Sequence, residues 1–233
     1  MELTFLGLGG ALNTNLGNNM AFYKSNTQVL LIDCGESCLK QLISINALDN
    51  VTEFYIAITH NHADHIAGLA NIIWYLNLVK NIQPIIIQNT PAHQKDLTQI
   101  LTLVGVKQEF YKFIPYNQFN MNGLTIKPVK TKHEPTLECF GFLLNDNGEK
   151  SYYSGDTYDV EQIKNYINNP EIKTVYTEVC DLKNSPHIYI EELLNIDNID
   201  KSKIRLMHFT GSLDLHIKVQ KLGFKLPKNI IIK

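Results

Sequence analysis

The stretch Thr59-His60-Asn61-His62-Ala63-Asp64-His65 gathers three histidines and an aspartate into the six residues after Thr59. It follows Phe54 to Thr59, an apolar run with aromatic and β-branched residues that reads as a strand, and it leads into Asp64 to Lys80, whose apolar spacing reads as one long helix. Side chains two apart share a side at a strand end, so His60 and His62 point together, while Asp64 and His65 fall in the first helical turn and can point back at them. An isolated histidine is usually solvated or hydrogen bonded. Three imidazoles crowded against a carboxylate have little structural purpose, whereas both groups are ordinary ligands of zinc and related divalent ions. The window therefore reads as a metal-binding loop at a strand terminus.

Outward from this loop the chain alternates strands and helices. Glu2 to Leu8 and Gln28 to Ile32 read as strands, the second closed by Asp33-Cys34-Gly35, and a helix is expected from Ser37. Pro84 to Gln88 reads as a buried strand and Ala92 to Val104 as a helix opened by Thr90-Pro91. Strands are expected in Glu109 to Ile114, Leu124 to Lys130, Cys139 to Leu144 and Ser151 to Ser154, with Asp146-Asn147-Gly148 as the hairpin turn between the last two. Alternation resumes with a helix near Val160 to Ile167, a strand Thr174 to Cys180, a helix His187 to Leu194, and strands Lys203 to His208 and Asn229 to Ile232. This order predicts an α/β fold of mixed sheets covered by helices, and no linker or low-complexity tract divides residues 1–233 into more than one domain.

Composition narrows the partners. The 233 residues carry 21 basic and 23 acidic side chains, a net charge of −2, so no global positive field collects nucleic acid at long range. All the basic residues but Arg205 are Lys, which disfavours any function built on several bidentate Arg contacts to phosphate or guanine. The four cysteines form no C-x-x-C pair, and the opening MELTFLGLGG lacks the pattern of a signal peptide. No stretch approaches 18 apolar residues. A reduced, cytoplasmic protein with no membrane association is expected, in the host cytoplasm if the chain is phage-encoded.

His60-x-His62-x-Asp64-His65 after a hydrophobic strand resembles the signature of the metallo-β-lactamase superfamily. Phe5-Leu6-Gly7-x-Gly9, Leu31-Ile32-Asp33-Cys34-Gly35-Glu36 and Tyr153-Ser154-Gly155-Asp156-Thr157 are similar to motifs of its ribonuclease Z branch. The resemblance implies a four-layer αββα sandwich of two mixed β-sheets flanked by helices. It also implies that His133 is the isolated third histidine, Asp156 the carboxylate bridging two metals, and His208 the last histidine. One ion would then sit on His60, His62 and His133, and another on Asp64, His65 and His208. Two cations about 3.5 to 4 Å apart would activate water and neutralise an anionic leaving group. Nitrogen and oxygen ligands suit Zn²⁺, with Mn²⁺ or Fe²⁺ also compatible.

The metals alone do not name the substrate. β-Lactamases of the fold use a Cys where this chain has Asp156, and the surroundings of His133 and Asp156 resemble the phosphodiesterase branch more than the thiolesterases. His187, after Ser185-Pro186, lies 21 residues before His208, near the spacing of a second catalytic histidine in that branch, and would protonate the leaving alkoxide beside the catalytic Asp64. Alternatively, it merely opens a helix after a Ser cap. Departures are informative too. Only 23 residues separate His133 from Asp156, which leaves no room for the arm that holds tRNA in ribonuclease Z. Tyr153 stands where that family orients its acid histidine with a Glu, and Thr210-Gly211-Ser212-Leu213 replaces a segment containing an Arg. A small nucleotide ester could still bind through the metals and the loop at Thr210 and Gly211.

The best overall resemblance is thus to compact ribonuclease Z-like phosphodiesterases of the anti-Pycsar type, which degrade cyclic nucleotide signals in defence evasion. It implies hydrolysis of cyclic CMP, UMP, AMP or GMP, with no stable nucleic-acid complex. The alternatives are a nuclease trimming RNA 3′ ends and a non-catalytic nucleotide-binding relic. Relatives commonly form homodimers, and the apolar face around Ile72, Trp74, Tyr75, Leu76 and Val79 could be a contact, although burial against its own sheet is the commoner fate. Phe110-Tyr111 and Phe113 to Tyr116 could line a base pocket, with an aromatic core strand as the commoner reading. His93 and His216 are expected at the surface.

Overall fold

The computed structural model describes residues 1–232. Seven strands form one sheet, ordered β12-β1-β2-β3-β4-β5-β6, in which β1 is Thr4–Gly7, β2 Met20–Ser25, β3 Gln28–Ile32, β4 Glu53–Ala57, β5 Ile85–Gln88, β6 Lys112–Pro115 and β12 Lys228–Asn229. Five form the other, ordered β11-β10-β9-β8-β7, with β7 Leu124–Lys130, β8 Phe140–Asp146, β9 Glu149–Tyr153, β10 Ile172–Cys180 and β11 Ile204–Thr210. Both sheets are mixed: β1, β2 and β3 run antiparallel in turn and β3 to β6 parallel, while β7, β8 and β9 are antiparallel and β9 to β11 parallel.

Burial follows the strand period. In β3, Leu30 and Ile32 join the apolar cluster between the sheets, whereas Val29 and Leu31 join a second cluster. That second cluster is closed by Leu42 of α1 (Cys38–Ser44), Ile72, Ile73 and Leu76 of α3 (Leu69–Leu78), and Leu97 and Leu101 of α4 (Pro91–Leu103). On the far side α5 (Val160–Asn168) and α7 (Leu215–Lys221) cover β10 and β11. Helix, sheet, sheet and helix layers therefore give the expected αββα sandwich. Ile72 and Leu76 of the apolar helix face its own sheet.

Several local expectations are corrected. The segment 64–80 is two helices, α2 (Ala63–Ile66) and α3, because the chain bends where Gly68 crosses Gly35. A Cβ on Gly68 would lie 2.2 Å from the Gly35 carbonyl oxygen, a crossing that only a glycine permits. Strand β2 and helix α7 (Leu215–Lys221) add to the expected elements, and the last strand is Lys228–Asn229 in place of Asn229 to Ile232. Glu109 to Ile114 divides into a single 3₁₀ turn and β6, and the helix after Cys180 begins only at Ile190 (α6, Ile190–Leu194). The Asn147-Gly148 turn forms as expected, with φ of 50° and 96°.

Candidate metal centre and active-site cavity

The histidine window leaves the end of β4, and His62, with extended backbone, opens α2 so that Asp64 and His65 occupy its first turn. The turn is clamped from below: Cys34 N–H donates to the His65 carbonyl at 2.7 Å, and Gly68 N–H donates to the Cys34 carbonyl at 2.8 Å. His133 arrives from the loop after β7 and Asp156 from the loop after β9. His208 lies within β11, at a bulge where the pairing with β10 skips it, and its φ is 47°. A left-handed non-glycine inside a strand is uncommon, and such a bulge re-aims one side chain without ending the strand.

All seven proposed ligands converge. His60 Nε2 lies 3.0 Å from His62 Nδ1, which lies 3.3 Å from His133 Nε2. Nitrogens bound to one tetrahedral zinc stand about 3.3 Å apart, so this triad has the spacing of a ligand set. In the second triad Asp64 Oδ2 is 3.4 Å from His65 Nε2 and 3.3 Å from His208 Nε2. Asp156 Oδ2 sits between them, 3.5 and 3.3 Å from His65 and His208, and 3.9 and 3.7 Å from His60 and His133.

The rings are oriented from behind. His65 Nδ1 is held 3.0 Å from Asp33 Oδ2, His60 Nδ1 3.0 Å from Thr59 Oγ1, and His133 Nδ1 2.9 Å from the Pro186 carbonyl. Acceptors on the outer nitrogens of His65 and His133 leave the inner nitrogens as lone pairs, the tautomer a cation needs. Asp33, which sequence pattern places only in a motif, supports two residues of the site: buried at a φ of 62°, it also accepts from the Thr59 amide and hydroxyl. Among the buried atoms without a hydrogen-bond partner are two that belong to the ligand set, His65 Nε2 and Asp156 Oδ1. Each belongs to a proposed ligand, and a bound cation would supply the partner that it lacks. The electrostatics agree. Burial disfavours charge on His208, yet Asp156 pushes its pKa up to about 10, while burial and the neighbouring His65 hold His60 well below its ordinary value. Against burial, His208 and His65 keep Asp156 strongly acidic. The cluster of five imidazoles and two carboxylates is suited to metal ions.

His187 does not open a helix; it sits three residues before α6, in a segment pinned by Cys180 N–H donating to the Ile188 carbonyl at 2.8 Å. Its Nδ1 lies 2.5 Å from Oε2 of Glu178, a fully buried residue of β10 whose Oε1 accepts from the Thr157 amide. Burial opposes protonation of His187, but Glu178 raises its pKa above the ordinary value. A carboxylate thus serves His187 from β10, not from the position of Tyr153, and the only hint in sequence was a lone acid within the apolar run Thr174 to Cys180.

Above the cluster lies a cavity of about 470 Å³ whose lining includes His62, Asp64, His133, Asp156, His187 and His208. Thr210 and Gly211 line it too. Asp181 fixes that loop, accepting from the Ser212 amide at 2.9 Å, and a Cβ on Gly211 would strike its carboxylate. No Lys or Arg is among the lining residues described, and Arg205 instead donates to the Ser202 and Ile204 carbonyls. The aromatic segment 110–116 lies outside the lining, in the two apolar clusters. His93 is not at the surface: it is 1% exposed, on the buried face of α4 against Phe140, and His216 is half-buried against Phe209.

Fold and site together define a metallo-β-lactamase-fold protein with a His and Asp ligand set suited to divalent metal ions. Among solved structures, the metallo-β-lactamase-fold protein YhfI of Bacillus subtilis superposes with a TM-score of 0.73 at 22% identity, covering 98% of this chain and 95% of that one. The profile of the "Anti-Pycsar protein Apyc1" family matches residues 1–225, and the chain belongs to that family. A relative of that name from Bacillus phage 010DV004 is 29% identical over 252 residues, 97% of this chain and 96% of its own length. A ribonuclease Z of Mycobacterium bovis is 22% identical over 188 residues, 70% of this chain and 65% of its own. Among the described residues no helix is long and apolar enough to cross a membrane.

Proposed function

We propose that the protein hydrolyses a small nucleotide phosphodiester, a 3′,5′-cyclic nucleotide, at a dinuclear centre. The observation that carries this reading is Asp156 Oδ2, placed between two complete triads at 3.3 to 3.9 Å from His60, His65, His133 and His208. His60, His62 and His133 would hold one ion, Asp64, His65 and His208 the other, and Asp156 both, with Zn²⁺ the first choice and Mn²⁺ or Fe²⁺ chemically compatible. Divalent cations bound there polarise phosphoryl oxygens and lower the pKa of water. The chain's own residues supply the rest. His187, held through Nδ1, presents Nε2 to the cavity and delivers its proton to the departing ribose oxygen as a water oxygen bonds to phosphorus and the P–O ester bond breaks. Loop amides at Thr210 and Gly211 receive a phosphoryl oxygen.

Substrate size follows from what surrounds the site. A folded RNA needs many phosphate contacts, yet the cavity lining has no Lys or Arg and the chain has no tRNA-binding arm. Membership of the Apyc1 family supports the cyclic nucleotide class. The test is to incubate protein loaded with Zn²⁺ or Mn²⁺ with cyclic CMP, UMP, AMP and GMP, linear oligonucleotides and pre-tRNA. Turnover of cyclic nucleotides is expected. Turnover of pre-tRNA alone would replace this reading with the nuclease, and turnover of none with the non-catalytic relic.

A further inference from the structure

The cavity has two chemically different halves. Its floor is the imidazole and carboxylate cluster, but its walls are Ala11, Leu12, Leu182 and Pro186 with Gly10 and Gly211. Leu12 is 92% exposed, at the tip of a tight turn, and Leu182 is 51% exposed. A leucine so fully solvated at a cavity mouth buries nothing in the free protein. The turn itself is firmly seated on the floor. Gly10 N–H donates to the Phe209 carbonyl at 3.1 Å, and a Cβ on Gly10 would come within 3.1 Å of His208 Cε1. Leu182 rests against the loop at Thr210 and Gly211, where a Cβ on Gly211 would come within 3.2 Å of its Cγ. Leu12 and Leu182 thus stand on elements that each touch the residues around His208. The one amide side chain in this wall turns away: Asn13 Nδ2 donates to the Phe209 carbonyl at 3.4 Å and its Oδ1 is out of solvent.

We propose that Leu12 and Leu182 form an apolar clamp that packs against the substrate's nucleobase while its phosphate sits on the floor. This rests on the phosphodiesterase reading above. The occupant is set by continuity with the cluster, since a ligand anchored there by a phosphodiester must place its uncharged body against these walls. A second cleft, on the other side of His187, is a poorer match, because it is lined by Lys183, Glu191, Glu192 and amide side chains beside Tyr158 and Tyr189. Charged groups favour water or an ion there over an aromatic face.

The experiment measures KM and kcat for a 3′,5′-cyclic nucleotide and for methyl riboside 3′,5′-cyclic phosphate, which lacks the base. Wild-type enzyme is expected to show the lower KM for the nucleotide. In Leu12→Ser and Leu182→Ser that KM rises about tenfold, toward the abasic value, with a much smaller change in kcat, as loss of buried apolar area from the bound state requires. Leu103→Ser, a remote and 78% exposed residue of α4, is the control for general surface effects and should match wild type. Wild-type KM in both clamp variants overturns the clamp and leaves the phosphodiesterase reading standing. A rise in KM for Tyr158→Ala with none for the leucine variants moves the base to the other cleft and also overturns it. Failure of wild-type enzyme to cleave either diester overturns both readings together.

Discussion

His187 Nδ1 and Glu178 Oε2 are 2.5 Å apart, with Glu178 closed off from solvent. This pairing fixes which ring nitrogen faces the cavity and keeps His187 protonated to higher pH than a free imidazole. A raised pKa in a general acid means that its proton is available below that pKa and lost as pH rises through it.

Glu178→Gln retains the shape but removes the charge. Turnover should fall about 10²-fold, as it should in His187→Ala, and the basic limb of the kcat profile should shift to lower pH in Glu178→Gln. Metal content should persist in His187→Ala. A basic limb that stays at the wild-type pH in Glu178→Gln would remove this pair from the mechanism.

Asp33 reaches the site only through His65 and Thr59. Asn tolerates its left-handed φ of 62°, so Asp33→Asn isolates the loss of the carboxylate. Cation affinity should drop roughly 10- to 100-fold, measured by competition with a chelating dye. Wild-type affinity would reduce Asp33 to a structural residue.

His93 makes a different test, of stability and not chemistry. Burial lowers its pKa to about 4 from an ordinary 6.5, so the unfolded chain takes up a proton in that range that the folded chain refuses. Stability present above pH 6.5 is therefore lost as pH falls toward 4, by up to roughly 3 kcal/mol. Urea unfolding of His93→Leu should show a weaker pH dependence between those limits than wild type.

Gly68→Ala forces a methyl group against the Gly35 carbonyl. Destabilisation of about 2 kcal/mol is expected, a fall in Tm of about 5 °C, from strain at a packed backbone crossing. Because this crossing seats α2, cation uptake at Asp64 and His65 should weaken in the same variant. An unchanged Tm would show that the crossing can relax.

What the sequence made legible was local. Four ligands lie within one short window, and a strand before it and a helix after it suffice to converge them. His133, Asp156 and His208 needed the family pattern, since nothing in the residues around His133 distinguishes it from a solvated histidine. The bulge that aims His208 and the pairing of Glu178 with His187 depend on register between strands distant in sequence, which periodicity does not encode. The break at Gly68 and the burial of His93 have the same origin: each is imposed by a neighbour brought up by the fold, Gly35 in one case and the loop around Glu138 in the other.

The dinuclear centre is tested most directly by counting metal ions. Elemental analysis by plasma mass spectrometry of the purified, zinc-loaded chain should find two ions per chain, falling to about one in His133→Ala and in His208→Ala with loss of phosphodiester turnover. One ion or none in a wild-type preparation that still turns over cyclic nucleotide would contradict a two-metal site bridged by Asp156.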